Sequence, residues 1–306
     1  MAWCLEKSLG MKVLSPDISG QIDCALKQNL LDRLPEDLPV DIIPISYFPN
    51  FKFARPSTTH YVLLDFLEPH SYNDEMDKFW AWVIHNPPIL TFRRELQQKH
   101  ITTTVKPIEW PCLLTIPPLV SKEEYNKRPI DVLNVWGYSS PSRPYLHGEI
   151  FSQGSKLGLT IIDNWADIES AKIGGEAKPK WHKVWMTIYS PWYRRAPIER
   201  IVELMSQAKI TVSLPGNGKK TFRDTESVGT LMARHDDDMA FAFPWDTTNS
   251  IKLLPELEFH DLLNAVRNQE LYELHDRYLK GQENIVRYRP HPYVHEYIVP
   301  EIKKLL

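Results

Sequence analysis

Residues 209–226 read Lys-Ile-Thr-Val-Ser-Leu-Pro-Gly-Asn-Gly-Lys-Lys-Thr-Phe-Arg-Asp-Thr-Glu, and this stretch is the most informative in the chain. Its first half is an apolar, β-branched run that predicts a buried strand, and Pro215 and Gly216 predict the turn that follows it. The charged residues after Gly218 predict the start of a helix. Glycine lets a ligand approach the backbone closely, and N–H groups at a helix start favour anions. The stretch therefore fits a diphosphate site, although a surface turn with solvated lysines has the same pattern.

The same order of strand, loop and helix is predicted in the sequence before and after this stretch. Apolar runs predict strands over residues 11–14, 40–45, 61–67, 89–92, 130–137, 159–162 and 210–214. Helical spacing predicts helices over residues 22–34, 76–85, 144–152, 197–207, 255–278 and 294–306. Strands that alternate with helices predict an α/β protein whose sheets are parallel. A charged stretch, residues 121–128, predicts the linker between two domains, residues 1–125 and 126–306.

Length and composition are those of a globular protein with room for two medium domains. The chain has 306 residues, 42% of them hydrophobic, and a formal net charge of -3, which gives no global signature of nucleic-acid binding. Its three cysteines are Cys4, Cys24 and Cys112, widely spaced and odd in number, so neither a disulfide framework nor a zinc site is indicated. The sequence contains no apolar run of membrane-spanning length and no secretory leader. We expect a cytoplasmic protein.

Two nucleotide-binding motifs are excluded by particular positions. A P-loop would need glycine where Ser213 stands and serine or threonine where Lys220 stands. No glycine triplet of the dinucleotide-binding kind follows the first predicted strand, which argues against an oxidoreductase of that class.

The run of residues 220–226, followed by residues 243–249 (Phe-Pro-Trp-Asp-Thr-Thr-Asn), resembles the donor-binding half of exostosin-like and related GT-B glycosyltransferases. The resemblance covers roughly the last third of the chain. It implies two Rossmann-like domains that face a cleft, with a C-terminal helix that packs back on the first domain. It also implies transfer of a sugar from a nucleotide-sugar, bound by the second domain, to an acceptor hydroxyl held by the first.

The resemblance assigns the donor contacts to two segments of the second domain. In the segment after the predicted strand 210–214, Arg223 would meet the diphosphate and Glu226 the ribose hydroxyls. The other donor-binding residues that we expect are Ser139, Ser142 and Arg143 after the predicted strand 130–137, together with Gly216, Lys220 and Thr221. Ordinary helix capping would also account for serine and proline in the first of these segments.

The catalytic base is expected from the first domain, because the acceptor hydroxyl must lose a proton as it attacks the sugar. Asp17, in the loop after the first predicted strand, is the candidate that we favour. Asp65, Glu68, His70 and Glu95 are alternatives.

The acceptor class stays open at this stage. A glycan hydroxyl (of a polysaccharide or a lipid-linked sugar), a protein and a hydroxymethylated DNA base are all compatible with the sequence. Basic residues of the first half that would suit DNA are Lys52, Arg55, Arg93, Arg94, Lys99 and Lys106.

The acidic run after His235, Asp236-Asp237-Asp238, suggests a metal site, but we interpret it as a solvated turn. A strand is predicted only later, over residues 240–243, so the run does not stand at a strand end. No metal and no cofactor are therefore expected, and the nucleotide-sugar acts as co-substrate. The alternative function is a non-catalytic protein that binds a nucleotide or nucleotide-sugar.

Overall fold

The computed structural model describes residues 32–35, 38–45, 60–67, 74–134, 158–163, 198–215, 219–221, 223–235, 238–253 and 271–306. Within them the chain forms two parallel sheets with helices on their faces. The first sheet has the order β1-β2-β3-β4, with strands Asp41–Ile45, Tyr61–Asp65, Leu90–Arg93 and Val105–Pro107. The second has the order β6-β5-β7-β8-β9, with β5 Ile130–Asn134, β6 Ile161–Asp163, β7 Ala208–Ser213, β8 Leu231–His235 and β9 Ile251–Leu253. The predicted α/β class is confirmed.

Four of the described helical segments overlap the predicted helices 76–85, 197–207, 255–278 and 294–306, although the third runs nine residues beyond its predicted end. The helices are α1 Asp74–His85, α2 Lys122–Asn126, α3 Ile198–Gln207, α4 Arg223–Glu226 and α5 Leu271–Arg287. The chain ends in α6 Pro290–Pro292, a π-helical turn Tyr293–Ile298 and α7 Val299–Lys303, which together we call the C-terminal helix. A short 3₁₀ helix, Gln98–His100, follows β3. The predicted strand 11–14 and helix 144–152 lie outside the described residues.

Successive side chains of each strand in the first sheet point to opposite faces, and both faces are apolar, as expected for strands covered on both sides. On one face, Ile43 and Leu63 pack with Phe79 and Trp82 of α1. On the other face, Val62 and Phe92 belong to a core cluster that includes the C-terminal helix.

The C-terminal helix is fixed to the first sheet by polar contacts as well. The Tyr297 hydroxyl donates to the Pro107 carbonyl over 2.8 Å, and Lys106 forms an ion pair with Glu301 at 3.1 Å. The expectation that the C-terminal helix packs back on the first half is confirmed.

The second sheet is covered by α5 on one face and borders the shared core on the other. Val132 and Ile210 pack with Leu274 and Tyr278 of α5. The opposite side of the sheet, which includes Leu133, contributes to the same cluster as the first sheet. The two halves therefore share one continuous apolar core.

The charged stretch of residues 121–128 forms a helix with tight contacts. Ser121 and Glu124 form a capping box at the start of α2, so the backbone N–H groups there are satisfied locally. Tyr125 is fully buried in the core of the second sheet, and its hydroxyl donates to the Lys209 carbonyl over 2.8 Å. The connection between the sheets is thus a packed part of the second half.

Candidate functional site

The point where the strand order of the second sheet reverses lies between β5 and β7. The chain runs from β5 outward to β6 and then returns to the other side of β5, where β7 pairs with it in parallel. In open α/β sheets, ligands bind outside the carboxyl ends of the strands at such a switch point. β5 ends at Asn134 and β7 at Ser213, so the carboxyl ends of these two strands lie side by side.

A hydrogen-bond network fixes the segment after β7. The Ser213 hydroxyl donates to one carboxylate oxygen of Asp224 over 2.9 Å, and the Thr221 N–H donates to the other over 2.7 Å. The hydroxyls of Ser213 and Thr221 also bond each other at 2.9 Å. Arg234 of β8 lies 3.5 Å from the same carboxylate of Asp224, which is buried. These contacts hold the start of α4 against the ends of β7 and β8.

Arg223 and Glu226 form an ion pair on one face of α4. Their side chains are 3.3 Å apart, three residues apart in sequence, and each is 17% exposed. Burial raises the pKa of Glu226, and the positive charge of Arg223 opposes that shift. A guanidinium binds phosphate oxygens well, and a carboxylate accepts hydrogen bonds from hydroxyl groups. The pair thus combines the two kinds of group that a nucleotide requires.

Lys220 and Thr221 are bonded within the protein. Lys220 is buried, and its ammonium forms an ion pair with Glu109 and lies 3.4 Å from the Ile108 carbonyl. Burial lowers the pKa of Lys220, while Glu109 acts in the opposite direction. The Thr221 hydroxyl bonds Ser213, as described above. Contact of either residue with a donor stays a prediction.

Glu109, a residue that the sequence analysis did not single out, is a centre of contact between the halves. Besides Lys220, its carboxylate accepts from the Tyr293 hydroxyl at 2.9 Å and from the Ala242 N–H at 3.2 Å. The Glu109 N–H in turn donates to the Tyr293 hydroxyl over 2.8 Å. One sequence signal was available: Glu109 is a lone carboxylate between Ile108 and Trp110, in a stretch that is apolar on both sides.

Two of the alternative catalytic bases are engaged in structural contacts. Asp65 is buried, bonds Arg93 at 2.8 Å and accepts from the Leu67 N–H at 3.0 Å. Burial raises the pKa of Asp65, and Arg93 opposes that shift. Glu95 accepts from the N–H groups of Lys219 and Lys220 in the second half.

The loop after β3 pairs with the segment after β8 through backbone bonds. The Gln98 N–H donates to the Asp238 carbonyl, and the Ala240 N–H donates to the Leu96 carbonyl, both over 2.8 Å. An isolated antiparallel bridge between Gln97 and Met239 lies between them. The carboxyl ends of strands in the two sheets therefore meet, which is the facing arrangement that the GT-B resemblance implies.

The remaining predicted site residues fall outside the described part of the chain. They are the favoured base Asp17, the alternatives Glu68 and His70, and the donor-binding residues Ser139, Ser142, Arg143 and Gly216. Of the predicted donor contacts, the structure describes Lys220, Thr221, Arg223 and Glu226, and it places all four in the segment between β7 and β8.

The prediction of a strand over residues 240–243 is wrong. The interpretation that the acidic run does not stand at a strand end is therefore wrong as well. The strand here is β8, Leu231–His235, so Asp236 follows directly at its carboxyl end. Residues 240–243 form a loop whose N–H groups bond Leu96, Glu109 and Tyr288. An apolar run predicted a strand, but its backbone is satisfied by contacts distant in sequence. Within the described residues, no three His, Cys, Asp or Glu side chains are grouped as a metal site would require.

Of the basic residues that would suit DNA, Lys52 and Arg55 lie outside the described residues, and three of the other four are paired with acids. Arg93 bonds Asp65, Arg94 lies 3.4 Å from Glu95, and Lys106 pairs with Glu301. Lys99 is exposed.

Among the described residues, no helix has both the length and the apolar character needed to cross a bilayer.

Comparison with known proteins gives distant structural similarity alone. No protein-family model matches the sequence, and no curated protein matches it significantly. The solved structure of TarM is similar over 86% of this chain, at 11% identity and a TM-score of 0.48. Anabaena HepE in complex with UDP is similar over 80% of this chain and 72% of its own, at 13% identity and a TM-score of 0.47. HepE in complex with UDP and glucose is similar over 80% of this chain and 71% of its own, at 13% identity and a TM-score of 0.48.

The lengths of the compared proteins differ. The matched region is 54% of TarM, so this chain spans about half the length of that protein.

Proposed function

We propose that this chain is a nucleotide-sugar-dependent glycosyltransferase of the GT-B kind, with its donor site at the carboxyl edge of the second sheet. One observation carries the proposal. The two segments to which the sequence assigns donor contacts are the segments that leave β5 and β7, the two strands that flank the switch point. Residues 139–143 follow β5 and residues 216–226 follow β7 along the chain.

The Arg223–Glu226 pair supports a nucleotide diphosphate as the ligand. In the exostosin-like reading, Arg223 contacts the diphosphate and Glu226 accepts hydrogen bonds from the ribose hydroxyls. The ion pair holds both side chains on one face of α4 before the ligand arrives, which reduces the entropy lost on binding. Arg143, Ser139 and Ser142 would approach the same ligand from the end of β5.

The reaction breaks the bond between the anomeric carbon and the diphosphate oxygen and forms a bond from that carbon to the acceptor oxygen. The acceptor proton passes to a base, and the nucleoside diphosphate leaves with the negative charge. Cations and N–H groups around the leaving oxygens stabilise that charge. Arginine provides such stabilisation without a metal, so we propose a metal-independent enzyme.

Asp17 is the base that we propose. The described alternatives, Asp65 and Glu95, each bond two or more partners in the protein, and accepting a substrate proton would require breaking those bonds. Glu68 and His70 stay open as alternatives.

A glycan hydroxyl is the acceptor class that we favour over a hydroxymethylated DNA base. DNA binding depends on cations that are available to phosphates. In the first half, Arg93, Arg94 and Lys106 lie against carboxylates in the structure, so they contribute little net positive charge.

A thermal-shift screen tests the donor site. UDP, GDP, ADP, CMP and their sugars would be added to the wild type, to Arg223→Ala and to Glu226→Ala. We expect one nucleotide to raise the melting temperature of the wild type and each substitution to abolish that shift. The matched control removes the exposed Glu123–Lys127 pair of α2 (Glu123→Ala with Lys127→Ala), and it should keep the full shift. If no nucleotide binds the wild type, the proposal fails.

Donor hydrolysis separates an enzyme from a binding protein. A competent transferase releases nucleoside diphosphate slowly from its donor without acceptor, and Asp17→Asn should abolish that release while the thermal shift persists. Binding without any turnover, with or without glycan acceptors, would instead support the non-catalytic alternative.

A further inference from the structure

Glu95 bonds the backbone of the loop that the proposed function assigns to the donor. One oxygen of its carboxylate accepts from the Lys219 N–H at 2.9 Å and the other from the Lys220 N–H at 3.3 Å. Glu95 belongs to the loop after β3 of the first half, whereas Lys219 and Lys220 lie in the segment after β7. A carboxylate of one half therefore binds two successive N–H donors of the other half.

Positively charged side chains lie near this carboxylate. The guanidinium of Arg94 lies 3.4 Å from it, and the positive charge of Lys220 also lowers the pKa of Glu95. Successive backbone N–H groups that converge on one point form an anion site in proteins, and phosphate is a common occupant. These donors belong to the loop after β7 rather than to α4, which begins at Arg223.

We propose that the N–H groups of Lys219 and Lys220 form a phosphate subsite, and that Glu95 is its built-in occupant, which the donor diphosphate must displace. This inference rests on the proposed function and extends it to regulation of the same site. In the absence of donor, Glu95 holds the two halves together at the loop. Binding of the diphosphate breaks that contact, while the backbone bonds of Leu96 and Gln98 to the segment after β8 remain.

Burial makes Glu95 a weak occupant of the subsite. Burial raises the pKa of its carboxyl, while Arg94 and the N–H groups of Lys219 and Lys220 oppose the shift. The ionised carboxylate is therefore less favourable here than in water. A diphosphate carries more charge and more acceptor oxygens, so it competes well for the same donors.

The apparent affinity for a diphosphate equals the intrinsic affinity multiplied by the fraction of molecules in which Glu95 does not occupy the subsite. Removal of the carboxylate should remove this reduction. Contacts between the halves remain in such a variant, since Glu109 still binds Lys220 and Tyr293, and Leu96 still bonds Ala240.

The test is isothermal titration of inorganic pyrophosphate into the wild type and into Glu95→Ala, Glu95→Gln and Glu95→Asp. We expect Glu95→Ala and Glu95→Gln to bind pyrophosphate about tenfold more tightly than the wild type, or more. Aspartate keeps the charge but is one methylene shorter, so Glu95→Asp separates occupancy from simple repulsion. Displacement predicts a gain for Glu95→Asp as well, whereas repulsion alone predicts none.

The exposed Glu123→Gln is the control for loss of one negative charge and should bind as the wild type does. Melting curves confirm that each variant is folded, and if Glu95→Ala does not fold, the Gln and Asp variants decide. Equal or weaker binding by the folded variants would overturn the inference, and so would a gain limited to the uncharged ones. Nucleotide binding that depends on Arg223 and Glu226 would still support the proposed function in that case. Conversely, Glu95→Ala could bind pyrophosphate tightly while no variant binds a nucleotide. That result would support the phosphate subsite and contradict the proposed glycosyltransferase function.

Discussion

The ammonium of Lys220 and the carboxylate of Glu109 form an ion pair across the two halves, with side chains only 2% and 3% exposed. Lys220 follows β7 in the second sheet and Glu109 follows β4 in the first, so the pair joins the carboxyl edges of both sheets. Removing one partner of a buried pair leaves an uncompensated charge, and the cost is then much larger than the net contribution of the pair.

Lys220→Met should therefore destabilise the protein strongly. We expect a loss of about 3 kcal/mol or more in the free energy of unfolding, because Glu109 would stay buried without its cation. The double variant Lys220→Met with Glu109→Gln should lose less than the sum of the two single variants. Denaturant titration of the four proteins measures this. Additive losses would show that the two side chains do not depend on each other.

Gly229→Ala should destabilise more than Gly158→Ala. Both glycines have a φ of +72°, where an alanine costs about 1 kcal/mol in backbone strain. A Cβ at Gly229 would lie 2.9 Å from Cγ of Pro117, whereas a Cβ at Gly158 meets nothing within 4 Å. The clash should add about 1–2 kcal/mol at Gly229. Equal losses by denaturant titration would contradict the close packing of Gly229 on Pro117.

Tyr293→Phe should cost more stability than Tyr297→Phe. The Tyr293 hydroxyl donates to the Glu109 carboxylate and accepts from the Glu109 N–H, so its removal leaves two buried groups without that partner. The Tyr297 hydroxyl makes one described bond, to the Pro107 carbonyl. We expect a loss of about 2–3 kcal/mol for Tyr293→Phe and about 1 kcal/mol for Tyr297→Phe. Thermal unfolding of both variants checks the order, and the reverse order would contradict it.

Glu226→Gln should gain stability relative to the wild type as the pH rises. Burial raises the pKa of the Glu226 carboxyl above its ordinary 4.5. A carboxyl whose pKa is raised in the folded state costs stability once the pH exceeds its unfolded value, and glutamine carries no such cost. The difference in melting temperature should be constant below pH 4.5 and should move in favour of the variant as the pH increases through the folded pKa.

Melting curves at stepped pH, without ligand, measure that difference. Glu123→Gln is the control, because its carboxylate is largely in water. A difference that stays flat or moves in favour of the wild type would show that burial does not destabilise the ionised Glu226.

The local pattern of apolar residues was sufficient to predict β5 and β7, the strands that precede the proposed donor site. The apolar run before Pro215 predicted β7, and Ile130, Val132 and Leu133 lie in the predicted β5, because a strand buried on both faces must be apolar throughout. β8 was missed because its five residues end in the polar pair Arg234 and His235, and the buried carboxylate of Asp224 that lies beside Arg234 is brought there by folding.

The contacts between the halves could not be predicted from the sequence. Glu109 and Tyr293 are 184 residues apart, and nothing near either residue indicates the other. The same holds for Glu95, which the sequence analysis named only as an alternative base. Its partners are backbone N–H groups 124 and 125 residues away, and every residue except proline carries an N–H group.

The most direct test of the central claim is a crystal structure of the chain with the nucleoside diphosphate that the thermal-shift screen selects. We expect the ligand between the carboxyl ends of β5 and β7, with phosphate oxygens at Arg223 and ribose hydroxyls at Glu226. A nucleotide bound elsewhere, for example at the carboxyl edge of the first sheet and away from α4, would contradict it.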